Sequence, residues 1–234
     1  MDNSLIVEFI PRDSDVYNNV PCPQPSKVYS PEWFKEIPNK SIGIDENEIW
    51  KTLKHCMPFM DGMFAGYTQE LACDVTIKND GLDNLSYSWN GNFQPLSSRE
   101  DEGKDKNFMP EALEYYHKDF HWNTFWEPKT PDGYSTLYYH PSNRFDLPFT
   151  TMSGIIDTDK WSITGPLPFL LKRGFSGLIP AGTPIYQMIF IKRDSWESIK
   201  KEYDSNFNEE MYNSIRKSKG IGYKQLYWSR KEYS

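Results

Sequence analysis

GLIPAGTPIYQMIFIK, residues 177–192, decides the fold. Pro180-Ala181-Gly182-Thr183 supplies a turn. The chain then runs on as a strand from Pro184 to about residue 192, rich in β-branched and aromatic side chains. Gln187 stands alone inside that strand. A Gln in such a place commonly faces solvent or bonds to backbone, and it can also hold a ligand amide or phosphate. No βαβ rhythm surrounds the stretch, so a parallel nucleotide-binding sheet is not expected.

Working outward, GIIDTDKWSITG at 154–165 reads as a strand that ends in a turn. In an extended backbone Asp157 and Asp159 would share a face. In a turn, either would cap backbone N–H groups. Further strands are expected near 149–156, 161–171 and 134–140, over Leu5–Ile10, and through much of 59–77. Asn79-Asp80-Gly81 between alternating residues and LSYSW (85–89) predicts an antiparallel hairpin. Helices are expected at Ser30–Ile37, with Ser30 as N-cap and Pro31 at N1, at 45–54, at 110–121 and over Ser195–Ile215. Residues 97–107, dense in charge, read as an exposed loop. The fold expected is mainly β, an antiparallel barrel or jelly-roll-like body with peripheral helices. The division expected is one β-rich domain over 1–194, beginning with an extended and helical segment, with a helix and basic tail (195–234) packed on it.

Composition limits the function classes. Seventeen prolines and fourteen glycines in 234 residues favour many turns and few long helices. Aromatics make up 16% of the chain, enough to build a core from large rings despite only 38% apolar residues. A formal charge of -7 argues against binding extended nucleic acid. No apolar run is long enough for a membrane helix. Cys22, Cys56 and Cys73 lack metal-type spacing and read as reduced thiols, which gives a cytoplasmic expectation. His117 and His121 fall four apart on the expected 110–121 helix, with His140 as a third candidate ligand. The HExxH pattern is absent, since residue 118 is Lys, and ordinary packed histidines are the plainer reading, so no metal site is assigned.

GIIDTD followed by AGTPIYQMIF resembles the third and fourth motifs of trimeric dUTPases. That resemblance spans roughly 40 of the 234 residues. It implies a dUTPase-like fold, a homotrimer, and Mg²⁺ as the cofactor of a nucleotide pyrophosphate hydrolase; otherwise the cofactor is unknown. It places Asp157 at the family's water-activating carboxylate and Gln187 at its phosphate-side Gln. Departures are plain: Lys160 stands where the family has Tyr, Pro184 where it has Arg, and Thr68 where the first motif has Asp. The Ser-containing second motif has no counterpart. KSKGIGYK (217–224) is similar to the family's glycine-rich closing tail but carries only two glycines.

The whole chain is also similar to an uncharacterised family of proteins from tailed phages and some bacteria. The similarity runs through CMPFMDGMFAGY (56–67), TPDGYSTLYYHPSNRFDLPF (130–149) and GIIDTD to RDSW. It implies a phage origin and the host cytoplasm, and no mechanism.

Cations interleaved with rings through the β region suit a nucleotide pocket. The expected site therefore comprises Asp157 as general base or water-orienting group, with Asp159, Lys160, Trp161, Gln187, Arg144 and Lys219 as ligand contacts. The leading expectation is binding, and in a phage sequestration, of a nucleotide-like phosphorylated small molecule by a homo-oligomer. Hydrolysis and a non-enzymatic structural or host-interaction role are the alternatives.

Overall fold

The computed structural model describes residues 5–42, 49–80, 85–98, 114–161, 165–217 and 223–234. Contacts divide the chain into two units, 1–29 with 66–193, and 30–65 with 194–234. The division by contacts falls after Arg193, and residues 30–65 group with the C-terminal stretch.

The first unit is built from antiparallel sheets. Its five-stranded sheet has the order β13 (Gly154–Ile156), β11 (Tyr134–Tyr139), β16 (Pro184–Lys192), β5 (Tyr67–Glu70) and β2 (Gln24–Pro25). A four-stranded sheet orders β12 (Phe149–Thr151), β14 (Leu167–Leu171), β9 (Phe120–Trp122) and β8 (Leu96–Ser98). A third sheet joins β15 (Gly177–Ile179) to the expected hairpin of β6 (Val75–Asn79) and β7 (Leu85–Trp89). A ribbon pairs β1 (Glu8–Pro11) with β10 (Trp126–Lys129). A short helix, α1 (Ser14–Asn19), is capped by Asp13, whose carboxylate accepts from Val16 N at 2.8 Å.

Strand β16 occupies its predicted span. Its first five residues are buried in succession because strands flank it on both sides. Pro184 sits at its first position, where a missing N–H costs least. The core is aromatic: Trp122 stacks on Phe169 with ring centroids 3.9 Å apart, and Phe149 meets Trp122 edge-on at 4.9 Å. Each sheet keeps free edges, and no closed barrel is found among the described residues.

Several local expectations are overturned. Of the helix expected at 110–121, residues 110–113 lie outside the described residues. Residues 114–119 are not helical, and Phe120–Trp122 is a strand. Its rings are worth more stacked in the sheet core than on a helix face, so tertiary packing overrides periodicity. The helix expected at 45–54 lies outside the description up to 48, then forms β4 (Ile49–Lys51), paired with β3 (Lys40–Ile42), and a 3₁₀ turn at Leu53–His55. Conversely, part of the stretch read as strand between 59 and 77 belongs to helix α3 (Met57–Phe64), with Pro58 in its first turn. Helix α2 (Glu32–Glu36) forms with Pro31 as its N-cap, not Ser30. Ser97 and Ser98 of the expected charged loop belong to β8, and 99–107 lie outside the described residues. In the C-terminal stretch, α4 covers only Ser205–Lys217. No described helix is long and apolar enough to cross a membrane.

Candidate functional site

Strand β13 ends at Ile156, and the next residues fold into a tight turn. Thr158 N donates to Ile156 O at 2.9 Å, and Lys160 N and Trp161 N both donate to Asp157 O. The turn drives Thr158 inward, where it is completely buried. Its hydroxyl meets those of Thr130 and Thr136, each at 2.8 Å. Burial of a hydroxyl is tolerated because both neighbours can exchange hydrogen bonds with it.

Asp159 follows it down, its side chain only 4% exposed. Gly133 N donates to Oδ2 at 2.9 Å, and Arg193 grips both carboxylate oxygens, Nη1 reaching Oδ1 at 2.9 Å and Nη2 reaching Oδ2. Arg193 Nη1 also donates to Tyr134 O at 2.7 Å and Ser135 Oγ at 3.0 Å. Lys129 Nζ donates to the Asp159 carbonyl. The Arg193 guanidinium, aided by Gly133 N–H, holds the Asp159 carboxyl well below the usual carboxylate range, and Asp159 in turn raises Arg193. A carboxylate so engaged is a fixed anion with little basicity. It ties the β10–β11 turn, the end of β13 and the end of β16 to one another.

Asp157 differs. Its side chain is about half exposed (52%), Oδ1 accepts from Ser135 Oγ at 2.7 Å, and Arg193 Nη1 stands 3.4 Å away. Lys160 and Trp161 lie exposed just beyond it. The structure therefore brings Asp157, Asp159 and Arg193 together, with Lys160 and Trp161 alongside in the chain.

Gln187 lies elsewhere. It pairs with Tyr139 at one end of the β11–β16 ladder, whereas Ser135, the partner of Asp157, pairs with Ile191 near the other end. Four residue rows along and two strands across put Asp157 and Gln187 about 16 Å apart. Gln187 is buried, and its Oε1 accepts from Ser142 N at 2.9 Å. It fixes the loop after β11, the backbone-bonded alternative for a strand Gln. That loop also carries Arg144, whose guanidinium is committed to Asp146 through Nη2–Oδ2 at 2.7 Å and Nε–Oδ1 at 2.8 Å. His140 completes the loop: Nδ1 accepts from Thr151 N and Nε2 faces Arg144 O, both at 3.2 Å. Burial lowers the pKa of His140, opposed by the hydrogen bond to the Arg144 carbonyl and reinforced by the positive charges of Lys172 and Arg144. Lys219 lies outside the described residues.

Among the described residues no three His, Cys, Asp or Glu side chains cluster to hold a metal. His121 is buried in β9 rather than placed on a helix with His117. Among the described residues, the oxygen set that Mg²⁺ would need is not assembled around Asp157. A cavity of about 170 Å³ opens between Asn19, Ala72, Cys73, Gly91, Asn92 and Phe93. It is smaller than usual ligand pockets and carries no charged lining. Burial pushes the Cys73 thiol up, keeping it protonated and unreactive.

Sequence reasoning identified the acids and noted cations interleaved with rings in the region, without singling out Arg193 or Lys129. It missed Gly133, Ser135 and the Thr130–Thr136–Thr158 hydroxyl cluster. The available signal was a threonine between two acids, which in a turn sends one side chain inward. No protein-family model matches the chain, and no curated protein matches it.

Proposed function

We propose that the chain is a non-enzymatic interaction protein, in which an antiparallel β body carries a C-terminal segment that engages another protein surface. One observation carries this reading. Trp196, Ile199, Tyr203 and Phe207 are 91%, 72%, 81% and 59% exposed, and nearly half of the exposed large apolar side chains among the described residues lie between Trp196 and Tyr233. Apolar surface concentrated in this way marks contact sites. The commitments of Asp159, Arg193, Gln187 and Arg144 to their own loops support the same reading against hydrolysis. A dUTPase-like site built within one chain would need Asp157 and Gln187 around one pocket.

A second reading rests on Lys160 and Trp161, which offer a cation and a ring side by side near Asp157, the pair of groups a nucleotide takes. Thermal melting of the full chain with and without a nucleotide pool and Mg²⁺, with product analysis, decides between the two. The interaction reading expects no shift and no turnover. A shift lost in Lys160→Ala or Trp161→Ala would replace it with nucleotide binding. Turnover lost in Asp157→Asn would replace it with hydrolysis.

A further inference from the structure

Helix α4 begins at Ser205 because Asp204 caps it: Asn206 N and Phe207 N donate to Asp204 Oδ1 at 3.0 and 3.2 Å. Residues 195–204 before it are not helical. Their sequence nevertheless continues the pattern of α4. At about 100° per residue, Trp196, Ile199, Tyr203, Phe207, Met211 and Ser214 fall within about 60° of one line. The first five of these are exposed. Asp194-Ser195-Trp196-Glu197 reads as the start of a longer helix, an N-cap acid with Glu three residues on. The Asp204 cap thus terminates a helix whose apolar stripe runs on past it.

That stripe is self-complementary about residue 205. In an antiparallel pair centred there, each layer joins residue i to residue 410 - i. Ile199 meets Met211, Tyr203 meets Phe207, and the large Trp196 meets the small Ser214. Two charged residues interrupt the stripe, Lys200 and Glu210, and the same register brings them into one layer with opposite signs. A parallel pair would set Lys200 against Lys200 and Glu210 against Glu210. A lipid surface is a poor match, since Asp194–Lys217 holds six acids against four bases.

We propose that Asp194–Lys217 becomes one continuous helix by docking antiparallel against the same segment of a second copy of this chain. The contact is isologous, with each layer occurring twice about the dyad. Ordering residues 195–204 and releasing the Asp204 cap are offset by covering the stripe. The inference rests on the interaction reading above and names the partner.

The test is sedimentation velocity of the full chain over a wide concentration range, with circular dichroism at 222 nm on the same samples. A monomer–dimer equilibrium is expected, with helical signal rising as dimer forms. K200E and E210K each place like charges in a layer twice over, and each weakens the dimer by about tenfold. The double variant K200E/E210K returns it to within about threefold of the parent. Both positions lie outside the β body, so its melting transition reports that each variant remains folded. A monomer at all concentrations would overturn the proposal. So would a dimer indifferent to the charge exchange, or a helical gain that appears only with anionic vesicles. A nucleotide-dependent melting shift on the same preparations would instead strike the interaction reading, and leaves the dimer measurement to stand separately.

Discussion

Strand β16 sinks its first five residues in a row, and Arg193 closes it with contacts to Asp159, Tyr134 and Ser135. Just beyond it, Trp196, Ile199, Tyr203 and Phe207 face water, with Trp196 at 91% exposure. Both stretches are rich in large side chains. They differ in what surrounds them: β16 has β11 and β5 as neighbours, whereas 195–204 has no regular structure and pairs with no strand. Periodicity specifies which face is to be buried, and only a partner surface decides whether it is.

The largest way to break the buried side of this comparison is Gly66→Ala. Gly66 has φ +65°, and an added Cβ would run into the carbonyl of Met188 in β16. That is backbone against backbone, which no rotamer relieves. A loss of about 3 kcal/mol or more is expected in chemical denaturation. Thr158→Val comes next. It keeps the shape but strips the shared partner from Thr130 and Thr136 hydroxyls, for an expected cost of about 1–3 kcal/mol. A melting temperature unchanged by Thr158→Val would show that the hydroxyl cluster does not hold the turn.

Acid sharpens the comparison further. His140 has its pKa lowered from the ordinary 6.5 by burial, so the folded state binds fewer protons than the unfolded state there. Above about 6.5 both states hold it neutral, and it has no effect on stability. As pH falls below that value stability is lost, and the loss is complete once pH passes the folded value. Protonation also removes the acceptor that Nδ1 offers to Thr151 N. Asp159, lowered from 3.8 by Arg193, stabilises the fold at neutral pH, and its share is lost only as pH falls below about that value. Melting temperature against pH is expected to decline in two stages, the first flattened in His140→Asn. Both stages belong to the β body, so the dimer's charge dependence is to be measured near neutral pH.

The legible part of this fold was the part set by short-range rules. Pro-Ala-Gly-Thr before β16 and the alternation of LSYSW in β7 each specify their own turn or strand. The span Phe120–Trp122 was illegible because its signal, a helical spacing of histidines and rings, is local, while the stacking of Trp122 on Phe169 joins residues 47 positions apart. Asp157 and Asp159 were visible as a pair, but their separate fates depend on Thr158 turning inward and on Arg193, 34 residues further on. For Gln187 the sequence left solvent exposure, backbone bonding and ligand binding all open. Only the register of β11 against β16 shows it reaching Ser142 and standing well away from Asp157.

The smallest expected effect probes the exposed side. Tyr203→Ser and Phe207→Ser remove large rings that are 81% and 59% exposed in the single chain. If the β body owes nothing to them, its unfolding free energy at concentrations where the chain is monomeric changes by no more than about 0.5 kcal/mol. Helical signal at high concentration should fall in both variants, because Tyr203 and Phe207 form the central layer of the pair. Denaturant melts at two protein concentrations separate these contributions: the dilute curves should superimpose, and the concentrated ones should not. Dilute curves that diverge would mean that the stripe stabilises the single chain itself. The contrast across the Arg193–Asp194 bond would then be one of degree, with the C-terminal segment drawing on an internal surface much as β16 does.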